Sequence, residues 1–355
     1  MKYALGFVAL VAALSFAGAS FDGGCAETFT IKGYAKAWIY MFGAENNDPG
    51  NSFRAYNWTT FQGKLADNVY AYLGTNYQSW NGNSAINVCD AYLNMNIIPE
   101  LSIKAGQFKI PFGWAYDCSG GGLYFLDRAY LAGNDDFNNY GGRDVGVNLH
   151  GQFDMVGVDL AYFNGTGSYT DADTTVKKEF VARLTVEPTE WLTVAGGVAM
   201  IGQPQINDST GAMISEDWSA NGINAYALAN YPLSENADLI FEGEYMQAGF
   251  AGPEVANVEN NAGTDMYGML GVKIGLQNSF LTSVMPAVRY EMVSPSYQLA
   301  SGGTEPEDNW NVIDFCINCH ITPHNTVQIG GRNWSFENDN MDGYTDMYMG
   351  WRINY

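Results

Sequence analysis

Two things are scarce in this sequence: positive charge and long apolar runs. Its 355 residues carry 16 lysines and arginines against 38 aspartates and glutamates, a formal net charge of −22. So acidic a chain is a poor partner for nucleic acid or for anionic lipid headgroups. Beyond the N-terminus no apolar stretch approaches the roughly 20 residues that a membrane helix needs, and mean hydropathy is −0.15. Cysteine is also sparse, with five in the whole chain. An export compartment would permit Cys89 to pair with Cys118, and the sequence leaves that pairing open. The three histidines are His150, His320 and His324. Neither a Gly-x-Ser-x-Gly elbow nor a His-Glu-x-x-His zinc motif accompanies them, so no enzyme is expected. No Pro- or Ser-rich linker, heptad or composition shift divides the chain. One domain, residues 27–355, is the simplest reading.

The N-terminus reads as an export signal. Lys2 supplies a basic start, Tyr3 to Phe16 is apolar, and Ala17-Gly18-Ala19 offers a small-residue cleavage site. A second cut fits after Ala26, which makes residues 1–26 the leader. Asp22 stands where a lipoprotein signal needs an aliphatic residue, which argues against lipid attachment at Cys25.

What the chain does have is glycine, 41 residues, and aromatic side chains at 14%. In its last twelve residues Thr345, Met347, Met349, Trp351, Ile353 and Tyr355 alternate with Tyr344, Asp346, Tyr348, Gly350, Arg352 and Asn354. Successive side chains of a strand point to opposite faces, so this segment has one apolar and one polar face. Phe29 to Met41 repeats the pattern. Connections alternate in length along the chain. Short turns near Ala66–Asp67, Ile98–Glu100, Asp154–Met155, Pro188–Glu190, Pro232–Asp238 and Thr322–Asn325 interleave with long polar segments. Among the long ones are Gly43–Gly50, Ile110–Gly142, Thr166–Thr175, Gly202–Gly222, Ala251–Gly263 and Ser294–Asp308. The periodic segments between them number about sixteen. An even strand count with short turns on one side and long loops on the other marks an outer-membrane barrel. The expected fold is all-β, a transmembrane antiparallel barrel. A spanning sheet must close, because unpaired backbone groups are costly in hydrocarbon.

Residues 316–320 spell Cys-Ile-Asn-Cys-His, the motif that tethers a c-type haem. Strand alternation puts Cys316 with Asp314, Asn318 and His320 on the polar face, and Cys319 with Ile317 and Ile321 on the other. Two thiols on opposite faces cannot reach one porphyrin edge, so no cofactor is expected. Asp314, Cys316 and His320 share a wall where a metal could be caught, but ordinary lumen polarity accounts for them equally well.

Gly106-Gln107-Phe108 followed by Pro111-Phe112-Gly113, the Gly142-Arg143-Asp144-Val145-Gly146-Val147 block and Ala161–Gly167 together resemble the phosphate-selective porin O/P family of Gram-negative outer membranes. The resemblance implies a 16-stranded barrel, a homotrimer, and a third long loop folded into the lumen. Here the third loop, Ile110 to Gly142, is the longest, and it carries Gly120-Gly121-Gly122 for tight turns. The family's dense rows of arginine and lysine are not matched, so phosphate selection does not carry over with the resemblance.

The expected function is passive diffusion of ions and small hydrophilic solutes through a water-filled channel in the outer membrane. When the last strand pairs with the first, Lys32, Lys36, Arg54, Lys64, Arg332 and Arg352 form a basic strip on one wall. Asp117, Asp127, Asp135 and Asp136 of the third loop are expected to face it across the narrowest point. With acidic outer loops added, this favours cations or neutral solutes weakly. An anion- or phosphate-selective channel is the alternative, and a non-conducting structural or adhesive barrel a further one.

Overall fold

The computed structural model describes residues 28–41, 52–79, 86–132, 142–165, 178–203, 206–207, 213–215, 218–249, 263–277, 280–294, 309–337 and 343–355. The expected leader lies outside these residues, as do Asp135 and Asp136 of the third loop.

The first half of the wall is β1 (Thr28–Met41), β2 (Ser52–Ala66), β3 (Val69–Gln78), β4 (Ile86–Ile98), β5 (Leu101–Lys109), β6 (Arg143–Phe153), β7 (Val156–Phe163), β8 (Glu179–Thr189) and β9 (Leu192–Gln203). A small separate ribbon, β10 (Ile206–Asn207) with β11 (Met213–Ser215), follows. The second half is β12 (Trp218–Ser234), β13 (Ala237–Gly249), β14 (Gly263–Gly275), β15 (Ser283–Ser294), β16 (Trp310–Thr322), β17 (Asn325–Phe336) and β18 (Tyr344–Asn354). Each strand pairs antiparallel with its neighbours in sequence, except that β12 pairs with β9 across the ribbon. β18 returns to β1, with Lys36 opposite Arg352 and Tyr40 opposite Tyr348, and closes the barrel at sixteen strands. Paired Gly33 and Tyr355 backbones seal the seam below it (2.8 and 2.9 Å).

The segment Gly202–Gly222, expected as loop, is partly strand. β9 runs on to Gln203 and β12 starts at Trp218, so the two strands lengthen past the expected boundary and the ribbon fills what is left between them. At the opposite end the hairpin turns are tight: only Asp67–Asn68, Pro99–Glu100 and Asp154–Met155 separate successive strands. Asp154 takes φ 54° there, which a two-residue hairpin demands and a short Asx side chain tolerates.

Alternation decides what faces where. Along β15 the inward residues Met285, Ala287, Arg289, Glu291 and Val293 are buried, while Val288, Tyr290 and Met292 stand 47%, 45% and 41% exposed. β16 and β18 repeat this, presenting Ile313, Phe315, Ile317, Met347, Met349 and Trp351 outward. The outer surface of these strands is thus an apolar girdle, and their charged residues, Arg289, Glu291, Asp314, Asp346 and Arg352, point inward. Cys316 is inward and buried, and Cys319 lies on the other face of the same strand, so the Cys-x-x-Cys-His spelling has strand geometry with divided thiols. Among the described residues no helix is long and apolar enough to cross a membrane.

Candidate functional site: a loop docked inside the barrel

A barrel this wide cannot fill its interior with wall side chains alone. The segment between β5 and β6 does part of that work. It leaves β5 at Lys109, forms one turn of helix α1 (Trp114–Asp117), crosses the interior and makes a 3₁₀ turn at Tyr130–Ala132.

Its first anchor is apolar. Phe112, fully buried, packs among inward residues of β7, β8, β9, β13 and β14, namely Ala161, Phe163, Val181, Ala199, Met246 and Tyr267. Burying one such ring contributes about 1.5–3 kcal/mol. Gly113 then turns the chain at φ 77°, and a Cβ there would lie 2.7 Å from Glu244 Oε1. That close approach lets Glu244 accept the backbone N–H groups of Trp114 (2.8 Å) and Ala115 (2.7 Å). Asn224 steadies the carboxylate from β12.

The second anchor lies on the opposite wall. Phe125 and Leu126 sink between Trp38, Tyr40, Met285, Cys316 and Tyr348. Gly120 lies so close to Tyr34 that a Cβ would overlap its hydroxyl at 2.0 Å. A chain crossing a barrel has no ladder to satisfy its backbone, so its carbonyls need donors from the wall. Lys36 donates to Leu126 O (2.9 Å), Asn318 to Tyr124 O (2.9 Å) and Gln328 to Leu123 O (3.2 Å). Arg352 also donates to Leu123 O, Asn354 to Gly121 O (3.1 Å), and Arg289 to Asp127 O (3.4 Å) and Arg128 O (3.1 Å).

Side-chain charges finish the docking. Asp314, fully buried, sits between Arg289 and Arg332 and accepts from both, with Arg332 Nε at 2.8 Å. Asp127 accepts from the Tyr40 hydroxyl and from Arg332 (3.4 Å). Burial alone would raise the Asp127 carboxyl, but Arg332, the Tyr40 hydroxyl, Lys36 and Arg289 together hold it below the usual carboxylate value. Across the interior Asp117 pairs with Arg183 (2.7 Å), which also holds Asp159 (2.8 Å).

The expected opposition of an acidic loop to a basic strip is therefore corrected. The loop closes directly onto part of the strip, at Lys36, Arg332 and Arg352. The physical reason is backbone satisfaction: Lys36 and Arg352 bind carbonyls of the loop, and Arg332 takes Asp127. Arg54 lies over the Tyr40 ring at 5.1 Å, Lys64 pairs with Asp67 at the tight-turn end (2.8 Å), and Lys32 is an exposed inward residue of β1. Cys89 and Cys118 are separate thiols. Cys118 instead sits against Arg128 (2.9 Å), and burial pushes its thiol up.

Docking leaves a gap on the other side of the loop, a cavity of about 1100 Å³ between the loop and β1 to β6. Lys36, Lys109, Arg128, Arg143 and Arg332 line it, with Asp90, Asp117 and Asp127. Each of those carboxylates is already bound to an arginine, Asp90 by Arg143 at 2.7 Å. Lys109 instead gives its ammonium to the carbonyls of Tyr116, Asp117 and Cys118 (2.7, 2.9 and 3.0 Å). Arg128 gives its guanidinium to Ala115 O (2.6 Å), Cys118 O (2.7 Å) and Cys118 Sγ. Among the described residues, no carboxylate lies within salt-bridge distance of Lys36, Lys109 or Arg128. Sequence reading missed Lys109 as a lining residue because alternation along β5 places it with Ala105 and Gln107, on the face opposite inward Phe108. It also missed Glu244, Asn318, Gln328 and Asn354 as loop holders. Among the described residues no group of three or more His, Cys, Asp or Glu side chains is placed to hold a metal ion. His320, one of the residues considered for that role, bonds Thr326 (3.1 Å).

A closed sixteen-stranded antiparallel barrel with an inward third loop defines the porin class of fold. No family model matches the chain, and no curated protein sequence does. Solved structures do match in fold. The outer membrane channel DcaP of Acinetobacter baumannii aligns with TM-score 0.63 at 13% identity, over 95% of this chain and 99% of that one. An anion-selective porin from Comamonas acidovorans aligns with TM-score 0.62 at 11% identity, over 92% and 99%. The trimer form of OmpT, an outer membrane protein of Vibrio cholerae, aligns with TM-score 0.55 at 10% identity, over 92% and 99%.

Proposed function

We propose that this chain is an outer-membrane channel through which small hydrophilic solutes diffuse, and that its constriction favours anions. One observation carries the reading: a closed barrel, apolar outside and charged inside, whose docked loop leaves an open gap where five cations meet three carboxylates, each carboxylate already held by an arginine. An apolar girdle is stable against hydrocarbon, and closure leaves no strand edge unpaired there. Cations in a low-dielectric neck raise the local concentration of anions.

This departs from the weak preference for cations or neutral solutes that the acidic loop suggests in sequence. Asp117 and Asp127, the two of the four expected loop carboxylates among the described residues, are paired with Arg183 and Arg332, which weakens the acidic face on which that preference rested. The anion-selective character of the matched Comamonas acidovorans porin is in keeping with this reading. So is a homotrimeric assembly with the OmpT trimer form. Phosphate specificity is a weaker second reading. An ammonium has three donors, and all three of Lys109 are taken by backbone carbonyls. Such a cation supplies field without supplying ligands.

The zero-current potential of purified protein in a planar bilayer under a potassium chloride gradient tests this. Chloride is expected to be preferred over potassium, and Lys36→Gln is expected to diminish the preference. A potassium-selective potential would overturn the anion reading. Absence of any conductance would overturn the channel.

A further inference from the structure

Lys109 and Arg128 beside the gap have their hydrogen-bond donors engaged by loop carbonyls and Cys118 Sγ, so a passing solute meets their field more than their N–H groups. What else it meets is aromatic. Tyr34, Trp38, Tyr56, Trp58, Tyr116 and Tyr130 line the same cavity, with β1, β2 and the docked loop contributing to one neck. Several of these rings already carry a cation or another ring. Arg143 lies over Trp58 at 4.9 Å and Lys36 lies 5.8 Å from the centroid of Tyr34. Tyr34 and Tyr56 stack at 5.6 Å with planes 24° apart. Rings and positive charge are thus interleaved along one wall, and Tyr116 of the loop lines the same cavity. Aromatic faces attract planar or apolar ring surfaces, and a cation beside them attracts a carboxylate on the same molecule.

We propose that this neck is a weak binding site for small organic anions that carry a planar ring, with aromatic monocarboxylates as the fitting class. The inference rests on the channel reading and narrows it. The neck retains such anions longer than ring-free anions of equal charge, because the field acts on both while stacking acts on one. A cavity of about 1100 Å³ accommodates a molecule of that size beside water and counter-ions.

Single-channel recording separates the parts. Benzoate, acetate and benzyl alcohol, added singly to one side of the bilayer, present ring with charge, charge alone and ring alone. Benzoate is expected to reduce or interrupt the current at a concentration about three- to tenfold lower than acetate, the factor that one stacking contact supplies. Benzyl alcohol is expected to act more weakly than benzoate. Trp58→Leu on the wall and Tyr116→Leu on the loop are each expected to lower the ratio of benzoate to acetate effect. The ratio is read within each variant, so a general change of bore size cancels. Equal action of benzoate and acetate in the unmodified channel overturns the proposal, as does benzyl alcohol acting as strongly as benzoate. A ratio unchanged in both variants overturns it too. Failure of this kind in a channel that conducts and prefers chloride sinks only the ring-anion site. A silent or potassium-selective protein sinks the channel reading beneath it.

Discussion

At the scale of single residues, the account turns on carboxylates that clamp rather than face the bore. Asp314 is fully buried between Arg289 and Arg332. Replacing it by alanine leaves two guanidinium groups without their shared partner, and breaking a buried pair from one side costs about 3–5 kcal/mol. Asp314→Ala is expected to unfold in denaturant at a clearly lower midpoint than the unmodified protein, read by tryptophan fluorescence. Asp127 makes a pH prediction. Its folded carboxyl is held below the ordinary value despite burial, so the charged form is the one that stabilises docking. A group depressed in this way stabilises the docked loop fully above the unfolded pKa of about 4. The contribution is lost as pH falls through the lower folded value. Open-channel noise is therefore expected to be flat from pH 8 to about 5 and to rise below about 4, and Asp127→Asn is expected to show the raised noise at every pH. A rise beginning near neutrality would contradict this assignment.

At the scale of elements, the loop is the informative piece. Its limits were legible, because alternation stops at Lys109 and resumes at Arg143, and the expected Ile110–Gly142 segment fits between the two strands. Inward and outward faces were legible for the same reason, as at Met347, Met349 and Trp351 against Asp346, Tyr348 and Arg352. What alternation cannot convey is distance across the interior. It names Glu244 and Arg352 as inward, but nothing in a period of two says that one caps α1 and the other holds Leu123. That is why the basic strip was read as one face of a gap when part of it is the bed on which the loop lies. The ribbon β10–β11 was invisible because strands of two and three residues carry no period. Gly113 supplies the element-scale test. Its φ of 77° with ψ 151° belongs to a region open in practice to glycine only, at a cost of about 1–3 kcal/mol for other residues. The Cβ contact with Glu244 adds to that. Gly113→Ala is expected to leave the barrel assembled while the loop detaches, seen as new protease cleavage between residues 110 and 132 in the folded protein. An uncut loop would count against the first anchor.

At the scale of the whole molecule, closure follows from the outer surface. On β15, β16 and β18 the inward face carries the charge, and the outward face is Val, Ile, Phe, Met, Tyr and Trp. A sheet with such a surface has a stable medium in hydrocarbon, and closing it removes its edges. The net charge of −22 belongs to the chain as a whole and does not describe the neck, where lysine and arginine outnumber carboxylates. Bulk composition was a poor guide here because buried inward carboxylates such as Glu244, Asp265 and Glu291 count in the total yet do not line the gap. The central claim is that ions pass a neck left beside the docked loop. Single-channel current through the purified protein in symmetric potassium chloride tests it most directly. The account predicts discrete, uniform conductance steps that become larger or noisier when Arg289 and Arg332 are both replaced by glutamine; a bilayer that stays silent at high protein load would contradict it.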